Sequence, residues 1–99
     1  DMVCDEGIAL EWARIPHFFY DYYVFQYATG FSAAVAIAER ILTEGAPAVA
    51  DYKRFLSGGS STDPISLLKI AGVDMSRPKS IDSALALFGE LIDELDKLI

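Results

Sequence analysis

Residues 22–43 read YYVFQYATGFSAAVAIAERILT, and the fold depends on this stretch. Its first part, residues 22–38, carries no charged side chain. Asp21 stands before it with a side chain suited to an N-cap, and Gly45 follows it where a helix is expected to stop. We therefore predict one long helix from about Tyr22 to Thr43, buried on nearly all of its sides.

The same stretch raises the alternative of a membrane helix. A span needs about twenty apolar residues, and the charge-free run of seventeen lies at the short limit. Polar or small residues interrupt it at Gln26, Thr29, Gly30 and Ser32, and no cluster of Lys or Arg flanks it. A buried helix is the better interpretation, and we expect no membrane partner.

Helical spacing and helix-ending residues recur along the rest of the chain, and no segment of useful length has the alternation of a strand. The other predicted helices run from Asp5–Glu6 to about Arg14, from Pro47 onward, over Ile65–Ala71 behind an Asp63–Pro64 cap, and from a Ser80 cap to Ile99. The prediction is an all-α fold of about five helices, forming a single helical region over residues 1–99.

Composition excludes several classes of protein. The 99 residues are 53% hydrophobic, which rules out a disordered tail. The net charge of −7 argues against a nucleic-acid partner, which would require a basic face. The only cysteine, Cys4, cannot form an intramolecular disulfide and points to a reducing, cytoplasmic location. A small chain with this much apolar content is expected to form a homo-oligomer or to be part of a larger protein.

The common catalytic and metal-binding motifs are absent from the sequence. It has one histidine and one cysteine, and no H-x-x-x-H, C-x-x-C, EF-hand, phosphate-loop or nucleophile-elbow pattern. A structural zinc site needs four nitrogen or sulfur ligands, more than this chain supplies. We therefore expect that the chain alone is not a complete enzyme.

One segment, residues 14–30, does contain groups with useful chemistry. His17 is followed by Tyr20, Tyr23 and Tyr27, and on a continuous helix these three tyrosines would share one face. Phenol hydroxyls beside an imidazole are able to polarise a carbonyl and to hydrogen-bond an oxyanion. Aromatic residues at helical spacing are, however, more often part of a core. Spacing alone leaves both interpretations open.

The sequence around this segment resembles a known family. The matching stretches are EWARIPHF (11–18), YV (23–24), QYATGFSAA (26–34), AERIL (38–42), FLSGGS (55–60), LLK (67–69) and AGVDM (71–75). They are similar to the C-terminal region of the oligoendopeptidase F family, zinc peptidases related to thimet oligopeptidase. The likeness covers most of the chain.

The resemblance implies a fragment of a helical zincin peptidase several hundred residues long, acting on short peptides. Its zinc would be held by an upstream H-E-x-x-H helix and a later Glu, so that no metal ligand lies in this chain and the missing N-terminal part is its partner. His17 and Tyr27 match the family's catalytic histidine and the tyrosine facing the scissile carbonyl, and Tyr20 matches a second substrate-facing tyrosine. Tyr23 is assigned to substrate binding with a less defined role, because Phe19 and Phe25 replace tyrosines common in the family.

Two other functions remain open on the residues alone. The chain could be a free-standing helical module whose aromatic segment lines a groove for a ligand or partner. It could also be a structural fragment that dimerises through an exposed apolar face.

Overall fold

A computed structural model describes residues 3–99 of the chain, and within that range every regular element is a helix. Two short 3₁₀ helices come first, and four α-helices follow. Their bounds are Glu6–Arg14 and Pro16–Phe19 for the 3₁₀ helices, and Phe25–Glu44 (α1), Ala46–Ser57 (α2), Pro64–Ile70 (α3) and Lys79–Asp96 (α4) for the α-helices. The predicted all-α class is confirmed.

Glycine and proline set the helix boundaries where the sequence predicts them. Gly45 ends α1 with a left-handed φ of 69°, and its N–H donates to the Ile41 carbonyl. Pro47 lies in the first turn of α2, where its missing N–H leaves no hydrogen bond unmade. The Asp63 carboxylate caps α3 by accepting a hydrogen bond from the Ser66 N–H.

Two predicted helix starts are wrong. The long helix begins at Phe25 rather than Tyr22, and Asp21 is not its cap, because Tyr22 adopts a left-handed φ of 57° that no helix accommodates. The last helix begins at Lys79, and Ser80 lies inside its first turn, buried, rather than capping it. Pro78 precedes α4 with φ −66°, already close to a helical value, and α4 begins without a side-chain cap.

Helix α1 is the centre of the helical part, although this chain does not bury it on nearly all sides as predicted. It packs against α4 and α2, and α3 packs on α2, while the two 3₁₀ helices contact each other. Only Ser32 and Ala33 of α1 are buried. The buried apolar residues are few and mostly small: Ala33, Ala48, Leu67, Ala71, Val73 and Ala84.

The described chain is open for its length. Its radius of gyration is 17.3 Å, against about 13 Å for a compact domain of 100 residues. Many large apolar side chains, from Phe31 on α1 to Phe88 on α4, are more than half exposed. None of the helices within residues 3–99 combines the length and apolarity needed to cross a bilayer.

The Arg40 guanidinium joins three parts of the helical region. It donates to both carboxylate oxygens of Glu44 at 2.9 and 2.6 Å, to the Ala71 carbonyl at 2.6 Å and to Asp51 on α2 at 3.3 Å. Charge-assisted bonds of this kind are stronger than neutral ones. They hold the pKa of Glu44 below its ordinary value. The end of α1 is therefore tied to α2 and to the turn after α3.

This arrangement requires glycine at position 72. Gly72 has a left-handed φ of 77°, and a Cβ built there would lie 1.8 Å from Nη1 of Arg40. Any side chain at this position would displace the guanidinium from the Ala71 carbonyl.

We predict that Gly72→Ala lowers the free energy of unfolding by about 2–4 kcal/mol, because left-handed strain adds to the loss of the Arg40 bonds. Gly59→Ala is the matched control, since Gly59 is also left-handed (φ 51°) and a Cβ placed there would have no atom within 4 Å. The control should lose only about 1 kcal/mol in urea unfolding. Equal losses in the two variants would contradict the role given to Arg40.

Candidate active site

His17 lies in the second 3₁₀ helix, which begins at Pro16 after Ile15 in extended conformation. Proline at the first position presets the backbone for this short turn. The imidazole is partly exposed, and Trp12 of the first 3₁₀ helix stacks on Phe19 of the second with ring centroids 6.4 Å apart. The histidine is thus held on a short segment braced by an aromatic pair.

The three tyrosines do not share one continuous helix face, because the chain turns before α1 begins. The Tyr23 N–H donates to the Tyr20 carbonyl at 3.2 Å, which closes a turn over residues 20–23. Tyr27 lies in the first turn of α1. The predicted helical geometry is therefore wrong for Tyr20 and Tyr23.

The turn nevertheless brings all three tyrosines to the imidazole. The Tyr23 ring stacks on His17 at a centroid distance of 5.3 Å, with 30° between the ring planes. Tyr27 and Tyr20 approach the imidazole edge-on, at 5.9 and 6.4 Å. We refer to His17, Tyr20, Tyr23 and Tyr27 as the His–Tyr cluster.

Two phenol hydroxyls of the cluster lie within hydrogen-bonding distance of each other. The hydroxyl oxygens of Tyr23 and Tyr27 lie 3.4 Å apart. This hydrogen bond raises the pKa of Tyr27 above its ordinary value of 10.0, and desolvation acts in the same direction. Tyr27 therefore keeps its proton at neutral pH and remains a hydrogen-bond donor.

The cluster is open on the surface of this chain. Tyr23 is 38% exposed, and Tyr20 and Tyr27 are more than half exposed. An imidazole flanked by phenol hydroxyls is able to donate hydrogen bonds to a carbonyl oxygen or to a developing oxyanion. No group of three or more His, Cys, Asp or Glu side chains suited to a metal lies together within residues 3–99.

One feature of the site was missed by sequence reasoning. Tyr22 is left-handed at the tip of the turn, and a bulky side chain gives no hint of that conformation, which favours Gly, Asn or Asp. The only signal in the sequence was Asp21, a residue type common in turns.

Comparison with known proteins places the chain in a family. Residues 3–87 match the model of peptidase family M3. The chain belongs to peptidase family M3. Its curated relatives include proteins named as oligoendopeptidases, which confirms the predicted resemblance to the oligoendopeptidase F family.

Three relatives show the extent of the likeness. Oligopeptidase PepF of Bacillus subtilis (strain 168) is 56% identical over 99% of this chain. The plasmid form of oligoendopeptidase F from Lactococcus lactis subsp. cremoris is 46% identical, and group B oligopeptidase PepB of Streptococcus agalactiae serotype III (strain NEM316) 47% identical, each over 93% of the chain. No solved structure gives a significant match.

This M3 segment spans about 15% of the length of each of these relatives. The matched residues 3–87 include all four members of the His–Tyr cluster. The family membership therefore applies to the segment that carries the cluster.

We predict that Tyr23→Phe lowers the pKa of Tyr27, because the substitution removes the hydroxyl partner that favours the protonated phenol. The measurement is an NMR titration of the chain with labelled tyrosine, in which Tyr27→Phe assigns the signal. Tyr20→Phe is the control, since Tyr20 has no hydrogen bond to Tyr27 in the described structure. A Tyr27 titration that is the same in the Tyr23→Phe variant and the wild type would contradict the hydrogen bond.

Proposed function

We propose that this chain is the C-terminal part of a cytoplasmic, zinc-dependent oligopeptidase that hydrolyses peptide bonds in short peptides. The observation that carries the proposal is the His–Tyr cluster, in which one imidazole and two meeting phenol hydroxyls face outward from an M3 segment. The names of the relatives, oligopeptidases and oligoendopeptidases, support the reaction class.

Tyr27 is the residue that stabilises the transition state. When a peptide carbonyl is attacked, negative charge develops on its oxygen, and a preorganised donor aimed at that oxygen is typically worth about 2.7–4 kcal/mol. The Tyr27 phenol is protonated at neutral pH, and the hydrogen bond with Tyr23 raises its pKa further. With Tyr23 as the donor in this bond, the Tyr27 proton is available to the carbonyl oxygen. Tyr23 therefore orients Tyr27 in addition to lining the substrate site.

His17 and Tyr20 complete the substrate-facing surface. His17 is stacked on the face of Tyr23, and the rings of Tyr20 and Tyr27 lie across its plane, so the plane of the imidazole is defined. We assign His17 to a hydrogen bond with the reacting peptide unit. Tyr20, which is 59% exposed, is assigned to the peptide backbone beside it.

Zinc in such a peptidase supplies an activated water for attack on the peptide carbonyl. Residues 3–99 offer no donor set for the metal, and no step assigned to the His–Tyr cluster passes through it. We propose that its ligands lie in the part of the polypeptide outside this chain, as the family resemblance implies.

The exposed apolar residues support a partner in the same polypeptide. One stripe of α4 is about half exposed or more at Ile81, Leu85, Phe88, Ile92 and Leu95. The chain spans only about 15% of its relatives, so most of such a protein would be available to cover this stripe.

The alternative function is a dimerisation module without catalysis, and the α4 stripe is the observation that favours it. A second copy is the less suitable occupant, because Asp82 and Asp96 flank the stripe and two copies would bring these like charges together. The other acidic residues of α4, Glu90, Asp93 and Glu94, lie farther round the helix from the stripe.

We predict that Tyr27→Phe in the peptidase that carries this segment lowers turnover about a hundredfold or more, with unchanged zinc content. The physical reason is the loss of one oxyanion donor without a change in the metal site. Tyr52→Phe is the matched control, since Tyr52 lies on α2 and stacks on Phe55, outside the His–Tyr cluster. Wild-type turnover in the Tyr27→Phe enzyme would rule out the assigned role.

The 99-residue chain alone is predicted to have no zinc-dependent peptidase activity, because it lacks a donor set for the metal among its described residues. The assay adds zinc to the purified chain with a short fluorogenic peptide. Turnover that a chelator abolishes would contradict the proposal that the ligands lie elsewhere.

A further inference from the structure

Tyr22 is the one residue other than glycine with a positive φ among residues 3–99. Its φ of 57° places a bulky side chain in the left-handed region, at a cost of roughly 1–2 kcal/mol. The Tyr22 side chain is 92% exposed and takes part in no hydrogen bond or aromatic pair within the described residues. Its ring therefore makes no contact that would offset the strain.

The backbone of Tyr22 does have a consequence for its neighbours. Tyr22 is the third residue of the turn closed by the hydrogen bond from the Tyr23 N–H to the Tyr20 carbonyl. A left-handed third residue is the feature of turns in which Gly or Asn usually occupies that position. In this turn it brings the rings of Tyr20 and Tyr23 within 6.1 Å of each other, both against His17.

The start of α1 follows directly from the same turn. Tyr27 lies four residues after Tyr23, and the 3.4 Å contact between their hydroxyls depends on where Tyr23 leaves the turn. An extended residue at position 22 would direct Tyr23 elsewhere and separate it from both His17 and Tyr27.

We propose that Tyr22 is a positioning residue of the His–Tyr cluster, and that its left-handed backbone, rather than its ring, places Tyr23 on His17 and beside Tyr27. Strained backbone is often retained where it preorganises a site. The catalytic consequence rests on the proposed peptidase function, whereas the structural consequence does not.

The kinetic test uses substitutions at position 22 in the peptidase that carries this segment. Tyr22→Asn and Tyr22→Gly accept a left-handed backbone, whereas Tyr22→Val disfavours it because of its branched Cβ. We expect kcat within about twofold of wild type for Asn and Gly. For Val we expect kcat to fall about tenfold, with KM changed less than about threefold, because the misplaced groups act on the transition state.

Two kinetic outcomes would overturn the inference. Equal losses in the Asn, Gly and Val variants would assign the effect to the missing ring. Equal activity of Val and wild type would show that the turn geometry does not matter.

A second measurement is independent of catalysis. His17 is the only histidine of this chain, so its imidazole proton signals are readily identified by NMR. The stacked Tyr23 ring changes the chemical shifts of these protons. The wild type and Tyr22→Asn, which keep the ring in place, should therefore show the same chemical shifts. In Tyr22→Val the imidazole signals should move toward the chemical shifts seen in Tyr23→Leu, which lacks the ring.

An imidazole signal in Tyr22→Val that equals wild type, or a wild-type signal that equals Tyr23→Leu, would overturn the inference. Failure of the proposed function would have a different signature. In that case Tyr27→Phe would retain full turnover, while the imidazole signals of the position 22 variants would still differ.

Discussion

The Arg40 guanidinium bonds to Glu44, Asp51 and the Ala71 carbonyl at once, and the arrangement of α1, α2 and the turn after α3 depends on it. The buried apolar residues are few and small, so burial of apolar surface alone gives this region little stability. Charge-assisted bonds to a partly buried arginine compensate by fixing where the helices meet. Since the guanidinium covers Gly72, the glycine is part of the same constraint.

The His–Tyr cluster depends on a second and separate constraint. All four members fall within residues 17–27, and the contacts among them are local in sequence. The second 3₁₀ helix, which carries His17, packs on the first 3₁₀ helix rather than on the small core of the α-helices. The internal geometry of the cluster is therefore determined by the turn at Tyr22 and the start of α1. In the function we propose, the rest of the peptidase would place the cluster against the substrate.

Residue types with strong backbone preferences made much of this fold predictable. Gly45, Pro47 and Asp63 mark helix ends because each permits or supplies something that other residues do not: a left-handed φ, a preset φ or a capping carboxylate. The sequence of residues 12–34, with shorter matching stretches after it, carried the family resemblance, which the match of residues 3–87 to peptidase family M3 confirms. The prediction that Ser80 caps the last helix is wrong. Serine is a good cap, yet α4 begins directly after Pro78 without a side-chain cap.

The geometry of the cluster was harder to foresee, and the reason is physical. The spacing of Tyr20, Tyr23 and Tyr27 is typical of a helix. The residue type at position 22, tyrosine, does not indicate that the helix is interrupted there. A tyrosine in the left-handed region is unfavourable locally, so local preference predicts a helix there and gives the wrong result. Local preferences are expected to fail at functional sites, where strain is retained for what it positions. The failure at Tyr22, next to the residues assigned to catalysis, is itself an argument that the turn belongs to the site.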